Sequence, residues 1–278
     1  MKILLTGRSG QVGSELQALL HPQAATDHAA LDLADADAIA RTVRAAQPDL
    51  IVNAAAYTAV DKAESEVELA MRINGVAPGV LADEAKRAGA LLVHYSTDYI
   101  FDGAKRSPYV ETDSPKPTSV YGRSKLEGEA RIRASGCRHL ILRTAWVYGR
   151  GSNFVRAILR QAEKGAALRV VNDQVGAPTW ARDIARVTGD FLKTSAEGTF
   201  NVSAAGSASW YEVALEVLRS AGRAVEVTPV STADYGAKAP RPAYSVLDNS
   251  KLRALGIAAI GDWRERLTPY LDALKWTA

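Results

Sequence analysis

Short apolar runs alternate with longer amphipathic segments through the first half of the chain. The runs at residues 3–5, 50–52, 91–94 and 139–142 have the length and composition of buried strands, and 24–26 is a weaker candidate. Between them, apolar residues at helical spacing predict helices over 11–20, 70–88 and 121–134, with Gly89 and Gly136 as end signals, and a further helix capped by Asp35 that carries Ile39 and Val43. Strands separated by helices predict a doubly wound α/β fold with a parallel sheet.

The second half of the chain is divided into shorter elements. Helices are expected over 153–164, 181–193, 210–221 and 250–255 and from 263 onward, with strands at 168–171 and 199–202. Pro229, Pro240 and Pro242 interrupt the segment between the helices at 210–221 and 250–255. The pattern predicts one domain over 1–150 and a smaller lobe over 151–278, with part of 168–202 returning to the main sheet.

Composition and charge exclude several classes of protein. The chain of 278 residues is 47% hydrophobic and 23% charged, as is ordinary for an ordered globular protein. Its net charge of +3 is spread without a basic run, so neither a nucleic-acid nor a membrane partner is expected. Met1 leads directly into a strand, and Cys137 has no partner for an internal disulfide. A cytoplasmic location is therefore expected.

A glycine-rich loop follows the first predicted strand and opens the first helix. Gly7 allows a tight turn, Gly10 lets the backbone approach a pyrophosphate, and Gly13 permits close helix packing, while the helix N-terminus attracts phosphate. Position between strand and helix makes this motif more than a tight turn. It predicts that residues 1–150 bind a dinucleotide and that the smaller lobe binds the substrate.

The second strand leaves the choice of dinucleotide open. Asp27 and Asp32 both lie where a carboxylate would hold the ribose hydroxyls of NAD. Arg8, inside the glycine loop, could instead neutralise the 2′-phosphate of NADP or be a solvated cation. The residues give a slight preference for NADPH over NADH.

Tyr121 and Lys125 are four residues apart and therefore share one face of their predicted helix. Beside a nicotinamide, a phenol and an ammonium can protonate a ketone as hydride arrives. A free phenol has a pKa of about 10, and a cation about 6 Å away contributes about 2.8 kcal/mol at an effective dielectric near 20. We therefore expect Lys125 to lower the pKa of Tyr121 by close to two pKa units.

Hydroxyl groups cluster after the fourth strand, at the sheet edge where parallel sheets bind ligands. Residues 95–99 include Thr97, a candidate to hydrogen-bond the substrate carbonyl or to cap a turn. His94, just before them, is expected to be a core histidine rather than a catalyst. Acidic, His and Cys residues lack metal-ligand spacing, so no metal is expected.

These motifs resemble the extended short-chain dehydrogenase/reductase family over nearly the whole chain. The matching blocks are 7–13, 53–64, 96–103, 121–129, 143–149 and 172–179, with sparser matches at Arg241, Pro242, Ser245, Leu247 and Lys251. The short, alanine-rich second strand departs most from the family pattern. The contacts to adenosine are therefore the weakest part of the resemblance.

The resemblance implies a set of site residues. Tyr121 is the general acid, Lys125 its electrostatic partner and a ligand of the nicotinamide ribose, and Thr97 orients the carbonyl. Cofactor contacts are implied at Gly7, Gly10, Gln11, Val12, Gly13, Asp32, Leu33, Ala56, Tyr57, Thr58, Tyr95, Tyr121 and Lys125. Substrate contacts are implied at Thr97, Asp98 and Trp146, with Val60, Lys62, Asn153 and the 172–179 loop as lining; a structural role for Trp146 between the lobes is the alternative.

The resemblance also implies a reaction. It is reduction of the 4-keto group of dTDP-4-dehydro-β-L-rhamnose to dTDP-β-L-rhamnose, a dTDP-sugar, by NADPH or NADH. One alternative is a nucleotide-sugar epimerase or dehydratase of the same family, and another is a non-catalytic, dinucleotide-binding regulatory subunit. A homodimer is kept open, because the residues do not decide the oligomeric state.

Overall fold

A six-stranded parallel sheet forms the centre of the protein in a computed structural model that describes residues 1–274. The described chain contains, in this sheet and outside it, the strands β1 (Ile3–Thr6), β2 (Ala24–Thr26), β3 (Leu50–Asn53), β4 (Leu91–Thr97), β5 (His139–Thr144), β6 (Val147–Tyr148), β7 (Leu168–Val171), β8 (Val175–Gly176), β9 (Thr179–Trp180), β10 (Gly198–Asn201), β11 (Ala208–Ser209) and β12 (Val227–Val230). The main sheet has the order β10-β5-β4-β3-β1-β2, and every pairing in it is parallel. The predicted doubly wound fold is confirmed. The last four residues of the predicted C-terminal lobe lie outside the described residues.

Helices cover both faces of this sheet. The helices of the described chain are α1 (Gln11–Leu20), α2 (Ala36–Ala46), α3 (Val60–Ala63), α4 (Val67–Met71), α5 (Ala77–Ala88), α6 (Val120–Ser135), α7 (Phe154–Glu163), α8 (Ala181–Phe191), α9 (Trp210–Ser220), α10 (Thr232–Tyr235), α11 (Ser250–Ala254) and α12 (Trp263–Ala273). Alternate residues of β1 point to opposite faces, so Leu5 packs with α1 and α8 while Leu4 packs with α2, α5 and α6. Two apolar layers, one on each face, bury the sheet.

The helix predicted over 70–88 is interrupted in the structure. A π-helical turn, Arg72–Val76, separates α4 from α5. Pro78 has no N–H to donate to the carbonyl oxygen of Asn74, so the regular helical ladder cannot continue there. The turn widens the backbone next to α6, where Gly128 lies against the freed Asn74 carbonyl.

The chain returns to the main sheet late in the sequence. The strand predicted at 199–202 is β10, which pairs with β5 at the sheet edge. The strand at 168–171 is instead β7, which pairs with β12 outside the main sheet. Pro229, expected to interrupt structure, lies within β12, and such a two-stranded pair tolerates proline because β12 is an edge strand.

A buried ion pair joins the central sheet to α6. Arg143 at the end of β5 donates from Nε and Nη2 to the two carboxylate oxygens of Glu129, at 2.9 and 2.8 Å. The side chains are only 4% and 0% exposed. Arg133 adds a third hydrogen bond to the same carboxylate. Burial raises the pKa of Glu129, but the Arg143 guanidinium above all, with a smaller contribution from Arg133, holds it below its usual value. The pair fixes α6 against the strand edge where the site lies.

Replacing Arg143 with methionine should destabilise the protein strongly. The change leaves a buried carboxylate without its bidentate partner, which costs about 3–5 kcal/mol in the free energy of unfolding. Chemical denaturation measures this loss. Arg138→Met is the matched control, because Arg138 forms an exposed pair with Glu197 and should change stability by less than about 1 kcal/mol. Equal effects of the two substitutions would contradict the role of burial.

Candidate active site

One cavity opens along the carboxyl ends of the central strands. Its volume is about 790 Å³, within the range of small-molecule sites. The predicted residues that line it are Gly7, Gly10, Gln11, Val12, Asp32, Leu33, Ala56, Tyr57, Thr58, Tyr95, Tyr121 and Lys125. The fold thus brings most of the predicted cofactor-binding residues, which are far apart in sequence, to one surface.

The glycine loop holds β1 and α1 in close contact. Gly7 has a φ of +79°, and a Cβ there would lie 2.6 Å from the backbone nitrogen of Ala55. Gly13 does not line the cavity, because it packs beneath the loop, where a Cβ would lie 1.9 Å from the Gly7 carbonyl oxygen. Gly10 is the N-cap of α1, and its position offers no side chain to satisfy the first N–H groups of the helix. Those N–H groups can meet an anion.

Arg8 is bound by the protein itself. Its guanidinium donates from Nε and Nη2 to Oδ2 of Asp27, at 3.0 and 2.8 Å. The guanidinium lowers the pKa of the Asp27 carboxyl. The sequence offered two interpretations of Arg8, a ligand of the 2′-phosphate or a solvated cation. Neither included the ion pair with Asp27, which forms because Asp27 follows β2 directly and lies within reach of the guanidinium.

The start of α6 is held by contacts on three sides. The hydroxyl of Ser119 accepts from the backbone N–H of Gly122 at 3.1 Å, and Oε1 of Glu64 accepts from that of Val120 at 2.8 Å. Gly122 lies against the loop after β4, since a Cβ there would be 2.2 Å from the carbonyl oxygen of Tyr99. The Tyr99 and Tyr121 rings meet edge to face at 5.5 Å. These contacts set the place of the Tyr121 phenol.

Asn74 was not predicted to belong to the site, yet it connects two of its parts. Its side-chain amide accepts from the backbone N–H of Tyr57 at 2.8 Å and donates to the Tyr57 carbonyl at 2.9 Å. The same amide donates to the Ser124 hydroxyl at 3.0 Å, and Ser124 donates to the Tyr121 carbonyl at 2.8 Å. The sequence feature that could have identified Asn74 is its place four positions before Pro78, where the helix contains the π turn.

Lys125 is buried, with 2% of its surface exposed. Its Nζ donates to the carbonyl oxygen of Tyr95 at 2.6 Å and lies 3.1 Å from Nε2 of His94. Burial lowers the pKa of Lys125 to about 8, although the Glu129 carboxylate acts in the opposite direction. His94 is the core histidine that the sequence predicts, since it is fully buried and both ring nitrogens have partners.

The expected lowering of the Tyr121 pKa is wrong. Burial raises the pKa of Tyr121 to about 12, with the Asp98 carboxylate acting in the same direction and hydrogen bonding to the Thr97 hydroxyl opposing them. The attraction of a cation favours the phenolate, but removal of the phenol from water disfavours it and decides the direction of the shift. The phenol is therefore protonated at neutral pH.

Thr97 and Asp98 combine a capping role with a place beside Tyr121. The Thr97 hydroxyl accepts from the backbone N–H of Tyr99 at 3.1 Å, which caps a short 3₁₀ turn, Asp98–Ile100. It also donates to Oδ1 of Asp98 at 3.0 Å. Burial raises the pKa of Asp98 to about 6, while hydrogen bonding to Ser245 and Thr97 opposes the change.

Three predicted residues have structural partners. The hydroxyl of Tyr95 is hydrogen-bonded to the Thr188 hydroxyl of α8 at 2.7 Å, although Tyr95 also lines the cavity. Asn153 caps α7, and its side chain accepts from Arg156 N at 3.1 Å. The ring of Trp146 stacks on that of Trp210, with centroids 3.5 Å apart.

Trp146 has the packing expected of the structural alternative, a tryptophan between the lobes, and it does not line the main cavity. Its backbone has a φ of +46°, which is uncommon for a residue with a Cβ. Gly176, in the predicted 172–179 loop, is needed beside it, because a Cβ there would lie 2.4 Å from the indole. Trp146 therefore lies at the junction of sheet and lobe, held against two segments that only the fold brings together.

Val60 and Lys62 lie on α3 outside the main cavity, where Asp61 between them pairs with Arg241 at 2.8 Å.

Among residues 1–274, no group of three or more His, Cys, Asp or Glu side chains could hold a metal ion. Within the same residues, no helix has both the length and the apolar character needed to cross a membrane.

A parallel doubly wound sheet, a glycine loop at its first strand and a Tyr–Lys pair at the same edge define an extended short-chain dehydrogenase/reductase. The chain belongs to the family described as the RmlD substrate binding domain, whose model matches residues 1–276. The family resemblance inferred from the sequence is confirmed.

Named relatives match over nearly the whole chain. A dTDP-4-dehydrorhamnose reductase of Burkholderia thailandensis is 44% identical, covering 95% of this chain and 96% of the relative. A crystal structure of a dTDP-4-dehydrorhamnose reductase from Clostridium acetobutylicum superposes with a TM-score of 0.96 at 40% identity, covering 99% and 100% of the two chains. One from Bacillus anthracis, in complex with NADP, has a TM-score of 0.94 at 35% identity, covering 98% and 100%.

Gly122→Ala should displace the start of α6 and with it Tyr121. A methyl group 2.2 Å from a backbone oxygen forces a shift, and a misplacement of about 1 Å can reduce turnover about 10²-fold. Steady-state turnover and thermal unfolding measure the two effects. Gly189→Ala in α8 is the control, since its methyl group meets only the flexible Leu19 side chain at 3.2 Å and should leave turnover unchanged. Normal turnover by both variants would show that the close approach is not needed.

Proposed function

We propose that this chain reduces the 4-keto group of dTDP-4-dehydro-β-L-rhamnose to dTDP-β-L-rhamnose with NADPH or NADH. The observation that carries the proposal is a protonated, buried phenol, Tyr121, beside the Thr97 hydroxyl at the edge of a dinucleotide-sized cavity. The reductases named above supply the identity of the sugar nucleotide, since they match over nearly their full length.

The residues at the cavity fit a dinucleotide. The uncapped N-terminus of α1 can hold the pyrophosphate, and the small side chains at 54–56 leave room beside the loop. Tyr57, Thr58, Asp32 and Leu33 also line the cavity. When bound, the dinucleotide supplies the hydride.

Tyr121 supplies the proton in this proposal. Because burial keeps its pKa near 12, the phenol carries its proton at neutral pH and can donate it to the oxygen of the reduced carbonyl. Thr97 orients the carbonyl by donating a hydrogen bond to it, which requires its hydroxyl to leave Asp98. Lys125, buried at the same edge, holds the nicotinamide ribose in place.

The sugar and the base contact the junction of sheet and lobe. We assign Asp98 and Trp146 to the substrate, since both lie after strands that end at the cavity. Burial raises the pKa of Asp98 to about 6, so a fraction of its carboxyl groups is protonated near neutral pH and can donate to a sugar oxygen. The indole of Trp146 offers an edge against the deoxysugar or thymine, because one of its faces is covered by Trp210.

Tyr121→Phe should retain dinucleotide binding and lose turnover by about 10²–10⁴-fold, as expected when a positioned general acid is removed. Absorbance of the reduced nicotinamide with dTDP-4-dehydrorhamnose measures turnover, and fluorescence titration measures binding. Tyr235→Phe is the control, because Tyr235 is exposed on α10. Turnover near that of the wild type would remove Tyr121 as the acid.

The same assay separates the alternatives. An epimerase or dehydratase returns the hydride to its substrate, so it would turn over the sugar without net consumption of NADPH. A regulatory subunit would bind the dinucleotide and leave the sugar unchanged. Stoichiometric loss of reduced nicotinamide and of the ketone is the outcome that the proposed reductase requires.

Arg8 and Asp27 set the choice between the two dinucleotides. Arg8 can meet a 2′-phosphate, and the slight preference for NADPH rests on it, whereas Asp27 repels that phosphate and can accept from ribose hydroxyls. Their mutual ion pair balances these effects. Both cofactors are therefore proposed to support the reaction.

Arg8→Ala should reduce kcat/KM for NADPH about 10- to 150-fold, since a charge-assisted hydrogen bond contributes about 1.5–3 kcal/mol. The value for NADH should stay level or rise, because Asp27 is released toward the ribose. Arg41→Ala, an exposed arginine of α2, is the control and should affect neither cofactor. An equal loss with both cofactors would assign Arg8 to the loop structure instead.

We also propose a cytoplasmic location, which fits a chain with one cysteine and a nucleotide-sugar substrate. The homodimer stays a prediction, which light scattering tests directly.

A further inference from the structure

Four buried polar side chains form a line that ends at Lys125. Thr6 Oγ1 lies 2.7 Å from Asn53 Oδ1, Asn53 Nδ2 lies 3.0 Å from His94 Nδ1, and His94 Nε2 lies 3.1 Å from Lys125 Nζ. Sheet register produces the line, because Thr6 is opposite Asn53 and Asn53 is opposite His94 on neighbouring parallel strands. Thr6, Asn53, His94 and Lys125 are all 2% exposed or less.

The contacts of the Asn53 side chain determine which atoms along this line carry the hydrogens. Oδ1 of Asn53 accepts from the Thr6 hydroxyl and from the backbone N–H of Ala55, at 2.7 and 3.3 Å. A backbone N–H can only donate, so it identifies the side of the amide that carries the oxygen. The amide NH₂ of Asn53 therefore faces His94, and Nδ1 of His94 is an acceptor.

The inner end of the line follows from the single hydrogen of a neutral imidazole. Burial is the larger cause that lowers the pKa of His94 well below its usual value, ahead of the charge of a protonated Lys125, so the ring is neutral without relying on that charge. With Nδ1 accepting, the hydrogen is on Nε2 and points at Nζ of Lys125. An N–H donor facing Nζ favours an amine with a free lone pair over a fully protonated ammonium. The amine still donates to the Tyr95 carbonyl.

We propose that His94 is a positioning residue that holds the Lys125 amine at the cavity edge and, through its Nε2–H, favours the uncharged amine. Its contribution to turnover rests on the proposed reductase function, in which Lys125 holds the nicotinamide ribose next to Tyr121. Asn53 takes part by setting the tautomer of His94. No other contact of His94 reaches the cavity among the described residues, since the imidazole does not line it.

Charged groups around Lys125 have defined effects on its titration. Glu129, one turn along α6, favours the ammonium, but its charge is shared with Arg143 of β5 and with Arg133. Asp98, on the 3₁₀ turn packed against α6, acts on Tyr121. From the strand side, Nζ contacts the Tyr95 carbonyl and the ring of His94, and His94 is the titratable group of the two. Substitution of His94 therefore tests the contact without changing a charge.

Two NMR measurements on the full chain, without substrate, test the proposal. The ¹⁵N shifts of the His94 ring distinguish its two tautomers, and the chain has only 4 histidines, so the signals are assigned by their loss in His94→Gln. We expect the Nε2–H tautomer. The ¹³Cε signal of Lys125, assigned by its loss in Lys125→Met, gives the titration midpoint of the amine.

His94→Leu should raise the Lys125 midpoint by at least one pH unit, a tenfold change in its protonation equilibrium, because the donor is lost while the site stays apolar. His94→Gln, whose amide can still donate, should restore most of the wild-type midpoint. The limb of the kcat–pH profile that follows Lys125 should move with the NMR midpoint. A purely structural role for His94 moves neither midpoint nor limb.

His139→Gln, the same change on β5 away from Lys125, should leave the midpoint unchanged, and thermal unfolding identifies any variant that fails to fold. An Nδ1–H tautomer of His94, or an unchanged Lys125 midpoint in folded His94→Leu, would overturn the proposal. Since neither measurement uses the sugar, a failure here is distinct from a wild-type protein that does not oxidise NADPH with the ketone.

Discussion

The site depends on a lysine amine that is buried at the edge of a parallel sheet. Taking an amine out of water is unfavourable for its charged form, so Lys125 needs partners at fixed positions. The Tyr95 carbonyl on β4 accepts from the amine, and the Glu129 carboxylate on the same helix compensates part of the charge, while the His94 ring contacts Nζ from β4. Any displacement of α6 from β4 separates these groups.

Close packing keeps α6 in that position. Gly122 permits contact with the loop after β4, and Gly128 permits contact with the carbonyl that the π turn releases at Asn74. The buried Arg143–Glu129 pair then joins the helix to β5. The packing that stabilises α6 therefore also fixes the position of Tyr121, and substitutions that loosen it should move the phenol.

Desolvation acts in opposite directions on the two members of the Tyr–Lys pair. Burial raises the pKa of Tyr121 because it disfavours the phenolate, and it lowers the pKa of Lys125 because it disfavours the ammonium. A single property of the cavity edge thus supplies a protonated acid beside an amine that is easily neutralised. The four-residue spacing of Tyr121 and Lys125 does not predict this effect, because spacing contains no information on how deeply each side chain is buried.

Apolar periodicity and the glycine loop determined the doubly wound sheet and the strand-to-helix turn, and the four-residue spacing placed Tyr121 and Lys125 on one helix face, because these depend on neighbours along the chain. Only the tertiary structure decided which distant groups meet. It paired Arg8 with Asp27, set Asn53 beside His94 through strand register, and added β10 to the edge of β5. Those contacts join segments separated by many residues, and the charge, hydrogen position and burial of each group follow from that proximity rather than from local sequence.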